Sequence, residues 1–192
     1  MKRALAGVLV AAIVGLSAGG AMADAVPFIQ VYFDDDSNGS FGETQANCGT
    51  ADSPKSLYLV VLNGNAFVSA VDYQVSFPPA MMFLNDSYPV VPGGHLNIGD
   101  SSNGNAVSYG FPRSGFSPML VVTINGLWTG VCDCAQGPQP LVVGGYPGKT
   151  SPSFVRWPDF VEFAAVGMTS LICPGPVATE ETTWGGIKAL YR

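Results

Sequence analysis

"FVSAVDYQVSFPPAMMFL", residues 67–84, decides the fold class. Val71, Tyr73, Val75 and Phe77 alternate with Asp72, Gln74 and Ser76. A period of two is that of a strand with one face in the core and one in water. Pro78-Pro79 then removes two backbone donors and ends the strand. The same punctuation recurs outward in both directions. The chain has 24 glycines and 15 prolines, spread throughout rather than gathered in a linker. They cut it into short apolar runs at 28–33, 56–62, 81–84, 95–98, 106–111, 119–128, 141–143, 154–157, 160–163 and 168–173. The run 56–62 is almost continuously apolar, which predicts a strand covered on both faces. In 119–128, the spacing puts Leu120, Val122, Ile124 and Trp128 on one face. No window before residue 174 carries a stripe of period 3.6, so the expected architecture is all-β: an antiparallel β-sandwich, of which the Ig-like type is one form.

The ends differ from the middle. Lys2 and Arg3 precede an apolar stretch from Leu5 to Ala21, and Ala21-Met22-Ala23 supplies small residues before Asp24. That is the organisation of a secretory signal peptide over residues 1–23, and it predicts a secreted, extracellular or envelope protein. Residues 24–173 are expected to form the sandwich domain. No later stretch approaches the ~20 apolar residues of a membrane span. Removing Lys2 and Arg3 leaves six basic against fourteen acidic side chains. Such a surface repels nucleic-acid phosphates and anionic lipid, so neither is an expected partner. Residues 174–192 are expected to be a linker and tail. There Trp184, Ile187 and Leu190 fall at helical spacing, behind Thr182 or Thr183 as a cap, although Gly185 and Gly186 weaken that helix.

Four cysteines follow the leader: Cys48, Cys132, Cys134 and Cys173. In an exported chain an even count reads as two disulfides. Cys132 and Cys134 are too close in sequence to bridge comfortably, so each is expected to join Cys48 or Cys173, in a pairing left open. A C-x-C with two distant cysteines lacks the paired spacing usual for structural zinc.

Three stretches could carry chemistry. "FDDDSNGSFGE", residues 33–43, matches the first half of a calcium loop. Asp34, Asp36, Asn38, the Ser40 carbonyl and Glu43 are a candidate oxygen set for one calcium ion, the only cofactor the sequence suggests. The twelfth position from Asp34 is Gln45 rather than Glu, so this is no EF-hand. The competing reading is a solvated turn, since Asp, Asn, Gly and Ser all favour turns. "LVVGGYPGKT", residues 141–150, imitates a phosphate loop but has Val143 where the first glycine belongs, and lacks a following helix. It reads as a hairpin. Its aromatic neighbourhood, with Tyr146 and Trp157, supplies candidate ligand-binding residues that offer rigid, partly polar surface to a sugar or a protein. Trp128 and Phe154 belong to the same aromatic set, but the Trp128 run fits a buried strand face. His95 is the sole histidine and has no nucleophile elbow to serve. Asp72, Asp86, Asp100, Asp159 and Glu162 leave open a carboxylate pair, but no spacing selects one.

The segments "AVDYQVSFPPAMMFL", "NAVSYGF" and "PMLVVTI", within residues 57–127, resemble a cohesin-type sandwich of the carbohydrate-binding-like fold. The resemblance implies a binding module with a protein partner of the dockerin kind, and it carries no functional residue over. "TEETTWGGIKALYR", residues 179–192, is similar to a recurring C-terminal segment of exported bacterial proteins. The expected function is therefore non-catalytic: a monomeric extracellular module that recognises protein or glycan, or plays a structural role. The alternatives are a secreted hydrolase working through carboxylates, or a passive envelope component with a sorting tail.

Overall fold

The computed structural model describes residues 26–34, 42–132 and 134–173. The leader, the tail and the middle of the acidic loop lie outside them. Thirteen strands follow in chain order. They are β1 (Phe28–Phe33), β2 (Gln45–Ala46), β3 (Pro54–Leu62), β4 (Phe67–Ser76), β5 (Met81–Ser87), β6 (His95–Asp100) and β7 (Gly104–Ser114). Then come β8 (Met119–Trp128), β9 (Gln139–Gly144), β10 (Ser153–Trp157), β11 (Glu162–Ala164), β12 (Val166–Gly167) and β13 (Thr169–Ile172). The single helical element among the described residues is a 3-10 turn, Cys134–Gln136. None is a helix long and apolar enough to cross a membrane.

The strands form two sheets. One has five strands in the order β12-β1-β3-β8-β5. The other has eight: β11-β10-β4-β9-β13-β2, with β7 and then β6 added along β4. The chain is thus the all-β sandwich the periodicity predicts. It is not purely antiparallel, because β12 runs parallel to β1 and β2 parallel to β13. The two-residue β2 carries no apolar run and gave no sequence signal.

The core lies between the sheets. Val71, Tyr73 and Val75 of β4 face Phe33, Leu57, Leu59 and Ile124 of the smaller sheet, all essentially without solvent contact. Strand β3 sits between β1 and β8, and Leu59, Val60 and Val61 are all buried, consistent with its unbroken apolarity. One parity differs from expectation. Leu59 pairs with Val122 and Val60 with Leu120, so Val121 is an extra residue on β8. The bulge turns Leu120 away from the face shared by Val122, Ile124 and Trp128, because each inserted residue reverses the alternation beyond it.

The cysteines gather at one end. Cys48 bonds to Cys132, and Cys134 to Cys173. Each cysteine of the C-x-C thus reaches outward to a distant partner. The bridges tie the loop after β8 to the ends of β2 and β13, where Cys173 N–H donates to the Ala46 carbonyl at 2.8 Å. Closing loops of 84 and 39 positions restricts the unfolded chain, worth roughly 4 to 4.5 kcal/mol per bridge in the loop-entropy account.

Candidate functional site

The alternation that sends Val71 and Tyr73 inward leaves Ala70 and Asp72 on the outer surface of β4. Register carries that surface across the sheet. Asp72 lies beside Ala106 of β7 and Ser153 of β10, and Ala70 beside Ser108 and Val155. One strand further out, Ile98 pairs with Ala106 and Leu96 with Ser108. Ala70, Asp72, Leu96, Ile98, Ala106 and Val155 line a groove of about 120 Å³. Its rim is apolar and wet: Leu96 is 66% and Ile98 61% exposed.

Toward the start of β4 the same surface becomes aromatic. Phe67 pairs with Trp157. The Phe67 ring meets Phe116 edge-on at 5.5 Å, and Trp157 meets Phe160 edge-on at 5.1 Å. All four rings are exposed, Trp157 by 42%. Monomeric soluble proteins seldom leave so much contiguous apolar surface in water without a use for it.

Of the two aromatic candidates, Trp157 belongs to this strip. Tyr146 does not. It is half-buried beside Gly104, next to Asn105, whose partner Tyr73 lies six positions along β4 from Phe67. Six residues of strand put about 20 Å between the two places. Trp128 is buried, as its strand predicts, and Phe154 is buried as well. Sequence reasoning missed Phe67, Phe116, Phe160, Leu96 and Ile98. For Leu96 and Ile98 the alternation was visible, but not which face lacked a cover. For Phe67 the parity itself misleads: counting back by twos from Val71 places it inside. A shift in register between Val68 and Ala70 reverses the alternation, burying Val68 and exposing Phe67.

Two of the acidic candidates do converge on this face. Lys149 Nζ donates to Asp72 Oδ2 at 2.6 Å and to Glu162 Oε1 at 2.5 Å, so the carboxylates stand no more than about 5 Å apart, the spacing of a retaining glycosidase. The buried Ser153 hydroxyl reaches both. The ammonium decides what this pair can do. Its hydrogen bond holds the Glu162 carboxyl below the usual carboxylate range, and the two carboxylates, Asp72 foremost, push Lys149 up. Glycosidic cleavage needs one carboxyl raised so that it can donate a proton. Here Lys149 works against that, and it cannot act as a neutral base toward Ser153. The cluster is a salt-linked polar patch beside the groove.

Asp86 and Asp100 serve a different place. A register shift between Phe83 and Asn85 sets Asp86 opposite the core residue Ile124. Its Oδ2 accepts from Ser101 N–H at 2.8 Å and from Asn105 Nδ2 at 3.2 Å. Asn105 is fully buried and also donates to the hydroxyls of Tyr73 and Tyr88. Burial, above all, pushes the Asp86 carboxyl up. These side chains tie β5 of one sheet to β7 of the other. Asp100 accepts from Ser102 and Asn103, chiefly through their side chains, which hold its carboxyl low and close the β6–β7 turn.

Of the candidate calcium ligands, Asp36, Asn38 and Ser40 lie outside the described residues. Asp34 and Glu43 flank the neck of that loop. Phe33 N–H donates to the Glu43 carbonyl at 2.8 Å, and Lys55 Nζ donates to the Asp34 carbonyl at 3.0 Å. Glu43 Oε2 is buried with no hydrogen-bond donor among the described residues. An unsatisfied carboxylate oxygen at the neck fits the oxygen chemistry of a calcium loop.

No protein-family model matches the chain, and no curated protein matches it. Solved structures do. A cohesin module from a Clostridium perfringens family 33 glycoside hydrolase matches with a TM-score of 0.52 at 11% identity, over 77% of this chain and 95% of that one. A type II cohesin domain from the cellulosome of Acetivibrio cellulolyticus matches with a TM-score of 0.52 at 8% identity, over 78% and 96%. The sixth cohesin of scaffoldin B from Acetivibrio cellulolyticus, solved in complex with a Cel5 dockerin, matches with a TM-score of 0.51 at 10% identity, over 77% and 98%. The two-sheet architecture of this chain is that of a cohesin-like β-sandwich.

Proposed function

We propose that this chain is an exported, non-catalytic protein-binding module whose partner docks on the outer face of the larger sheet. The observation that carries the reading is the continuous exposed surface running from Leu96 and Ile98 across Val155 to Phe67, Trp157 and Phe160. Its centre is apolar and its rim carries the Lys149–Asp72–Glu162 cluster, the arrangement of a standard interface. Large rings with few side-chain rotamers lose little entropy on docking, which makes Trp157 and its neighbours the expected energetic anchors. Support also comes from the fold, since two structures that match it were solved with a dockerin bound. Three of the four rings in the strip are phenylalanines without a polar handle. That favours protein side chains over a glycan, which needs hydrogen-bonding partners beside each stacking ring.

Calcium belongs to this reading as a structural ion in the loop 34–43, supported by the closed neck and the unsatisfied Glu43 oxygen. A melt with millimolar calcium and then with chelator tests it. Saturation at ~100 times the dissociation constant adds ~2.7 kcal/mol, a rise of several degrees that Asp36→Ala abolishes. Coincident melts leave the loop a solvated turn.

The docking surface is tested with the oxidised chain immobilised and exposed to the exported proteins of the producing cell, alongside a glycan array. One protein is expected to be retained by the wild type, and lost when Ile98→Asp and Trp157→Ala are combined, with the melting temperature unchanged. Retention that survives the double variant moves the site elsewhere. Binding to the array alone makes the ligand a glycan.

A further inference from the structure

The two disulfides occupy one pocket of sulfur. The Sγ atoms of Cys48, Cys134 and Cys173 all lie within 4.8 Å of one another. Cys48 and Cys173, which are not bonded, have their Sγ atoms 3.0 Å apart, and Cys134 Sγ is 3.7 Å from that of Cys48. These four sulfurs are close enough that a second pairing needs a shift of only about 1 Å, given an S–S bond of about 2 Å.

Burial orders the sulfurs. Cys134 is exposed at the start of the 3-10 turn, Cys48 and Cys132 are half-buried, and Cys173 is buried. An external thiolate therefore meets Cys134 first. We propose that the four cysteines form a thiol–disulfide exchange site, with Cys132 and Cys134 as its working dithiol and Cys48–Cys173 as the bridge it keeps. The counterpart is an external dithiol, small-molecule or protein.

The steps balance. One thiolate of the external dithiol attacks Cys134 Sγ, forming a mixed disulfide and expelling the Cys173 thiolate. That thiolate stands 3.0 Å from Cys48 Sγ. It attacks there, forms Cys48–Cys173 and expels the Cys132 thiolate, which takes a proton from solvent. The second thiol of the external reagent then displaces Cys134, leaving as a cyclic disulfide, and Cys134 is protonated. The external dithiol has lost two electrons and two protons, and the chain has gained them as thiols on Cys132 and Cys134. Exchange of this kind requires only a thiolate within reach of a disulfide sulfur.

The product is favoured by its geometry. Cys48 lies two residues beyond β2 and Cys173 one beyond β13, strands that already run side by side with Ile172 paired to Ala46, so the new bridge demands little of the backbone. Among the single bridges that the half-reduced chain could keep, it also closes the longest loop, 125 positions against 84 and 39, and a longer closed loop restricts the unfolded chain more. A Cys132–Cys134 bridge would close too small a ring to compete, so the dithiol stays open on the surface loop.

The test is to treat the full oxidised chain with one equivalent of dithiothreitol at about pH 8 without oxygen. The products are quenched with acid, alkylated, and mapped by peptide mass. The expected product carries the alkyl label on Cys132 and Cys134 and retains a Cys48–Cys173 cross-linked peptide. A label on Cys134 and Cys173 with Cys48–Cys132 intact overturns the proposal. So does any other labelling, including full reduction of half the molecules. A second reading uses Cys132→Ser combined with Cys134→Ser. This variant is expected to form Cys48–Cys173 on oxidation and to melt within a few degrees of the wild type. Recovery of Cys48 and Cys173 as free thiols in a folded variant also contradicts the proposal.

Discussion

The two outer faces of the sandwich are built from the same pleat and end up chemically opposite. On the five-stranded sheet, one row crosses from Tyr32 through Tyr58 and Thr123 to Ser87. Beside it, Asn125 donates to Asn85 and Ser87 at 2.7 and 2.9 Å. Strands β1, β3, β8 and β5 each offer water a hydroxyl or an amide there, with Met82 and Leu84 as separate exposed apolar side chains on β5. On the eight-stranded sheet the corresponding rows are Leu96–Ser108–Ala70–Val155 and Ile98–Ala106–Asp72–Ser153, leading to four exposed rings. A solvated face asks nothing of a partner, whereas an apolar one lowers its free energy by being covered, at ~25 cal/mol per Å² of apolar area removed from water. The difference teaches why the proposed docking face lies on one sheet, while both sheets close the core.

The comparison can be broken most severely from inside. Leu57→Ala removes a fully buried side chain that both faces depend on, and is expected to cost ~2 to 5 kcal/mol in denaturant unfolding. Next is the polar tie between the sheets. Asn105→Ala leaves Asp86, Tyr73 and Tyr88 short of a donor and should cost ~1 to 3 kcal/mol, which a loss of under 0.5 kcal/mol would contradict.

That tie also has a pH signature. Burial raises the Asp86 carboxyl above its unfolded value, so between the two values the native state holds the proton more often than the unfolded one. Stability from this group therefore falls as pH rises through that window and is level above it. Compared with wild type, Asp86→Asn should gain in melting temperature as pH climbs from the ordinary carboxylate range through the raised value of Asp86. A constant difference would show that Asp86 does not titrate differently in the folded chain.

Smaller stability effects sharpen the contrast between the faces. Trp157→Ala and Tyr58→Ala replace one aromatic residue on each outer surface. Only the first is expected to weaken partner retention, by tenfold or more, as for an interface anchor, with a stability change in the range of ~0.5 kcal/mol typical of surface sites. Smallest of all, deleting residues 178–192 should leave the melting temperature of the oxidised chain unchanged, because the core of the described residues is complete without them and both bridges lie at or before Cys173. A large fall would make the tail part of the fold.

Much of this architecture was legible because burial writes itself in period two. Val71, Tyr73 and Val75, the unbroken run of β3 and the bounds of β8 could be read directly. What could not be read depends on single inserted residues. The shifts at Val68/Ala70, Val121 and Phe83/Asn85 change which side of the sheet a residue faces, and no local propensity marks them. They expose Phe67, turn Leu120 outward and bring Asp86 inward. The pairing of Cys48 with Cys132 was equally closed to sequence, since both allowed outward pairings suit a C-x-C. The proposed docking surface is assembled from β4, β6, β7 and β10, so its residues become neighbours only once the register is known.

The most direct test sets the two faces against each other in one binding experiment. Retention of the captured partner is measured for the wild type, for Leu96→Asp with Trp157→Ala, and for Tyr58→Ala with Asn125→Ala, each first shown to melt as a folded chain. Loss of retention in the larger-sheet variant alone is the predicted result. Loss in the smaller-sheet variant, with the larger-sheet variant still binding, would place recognition on the opposite face and contradict the account.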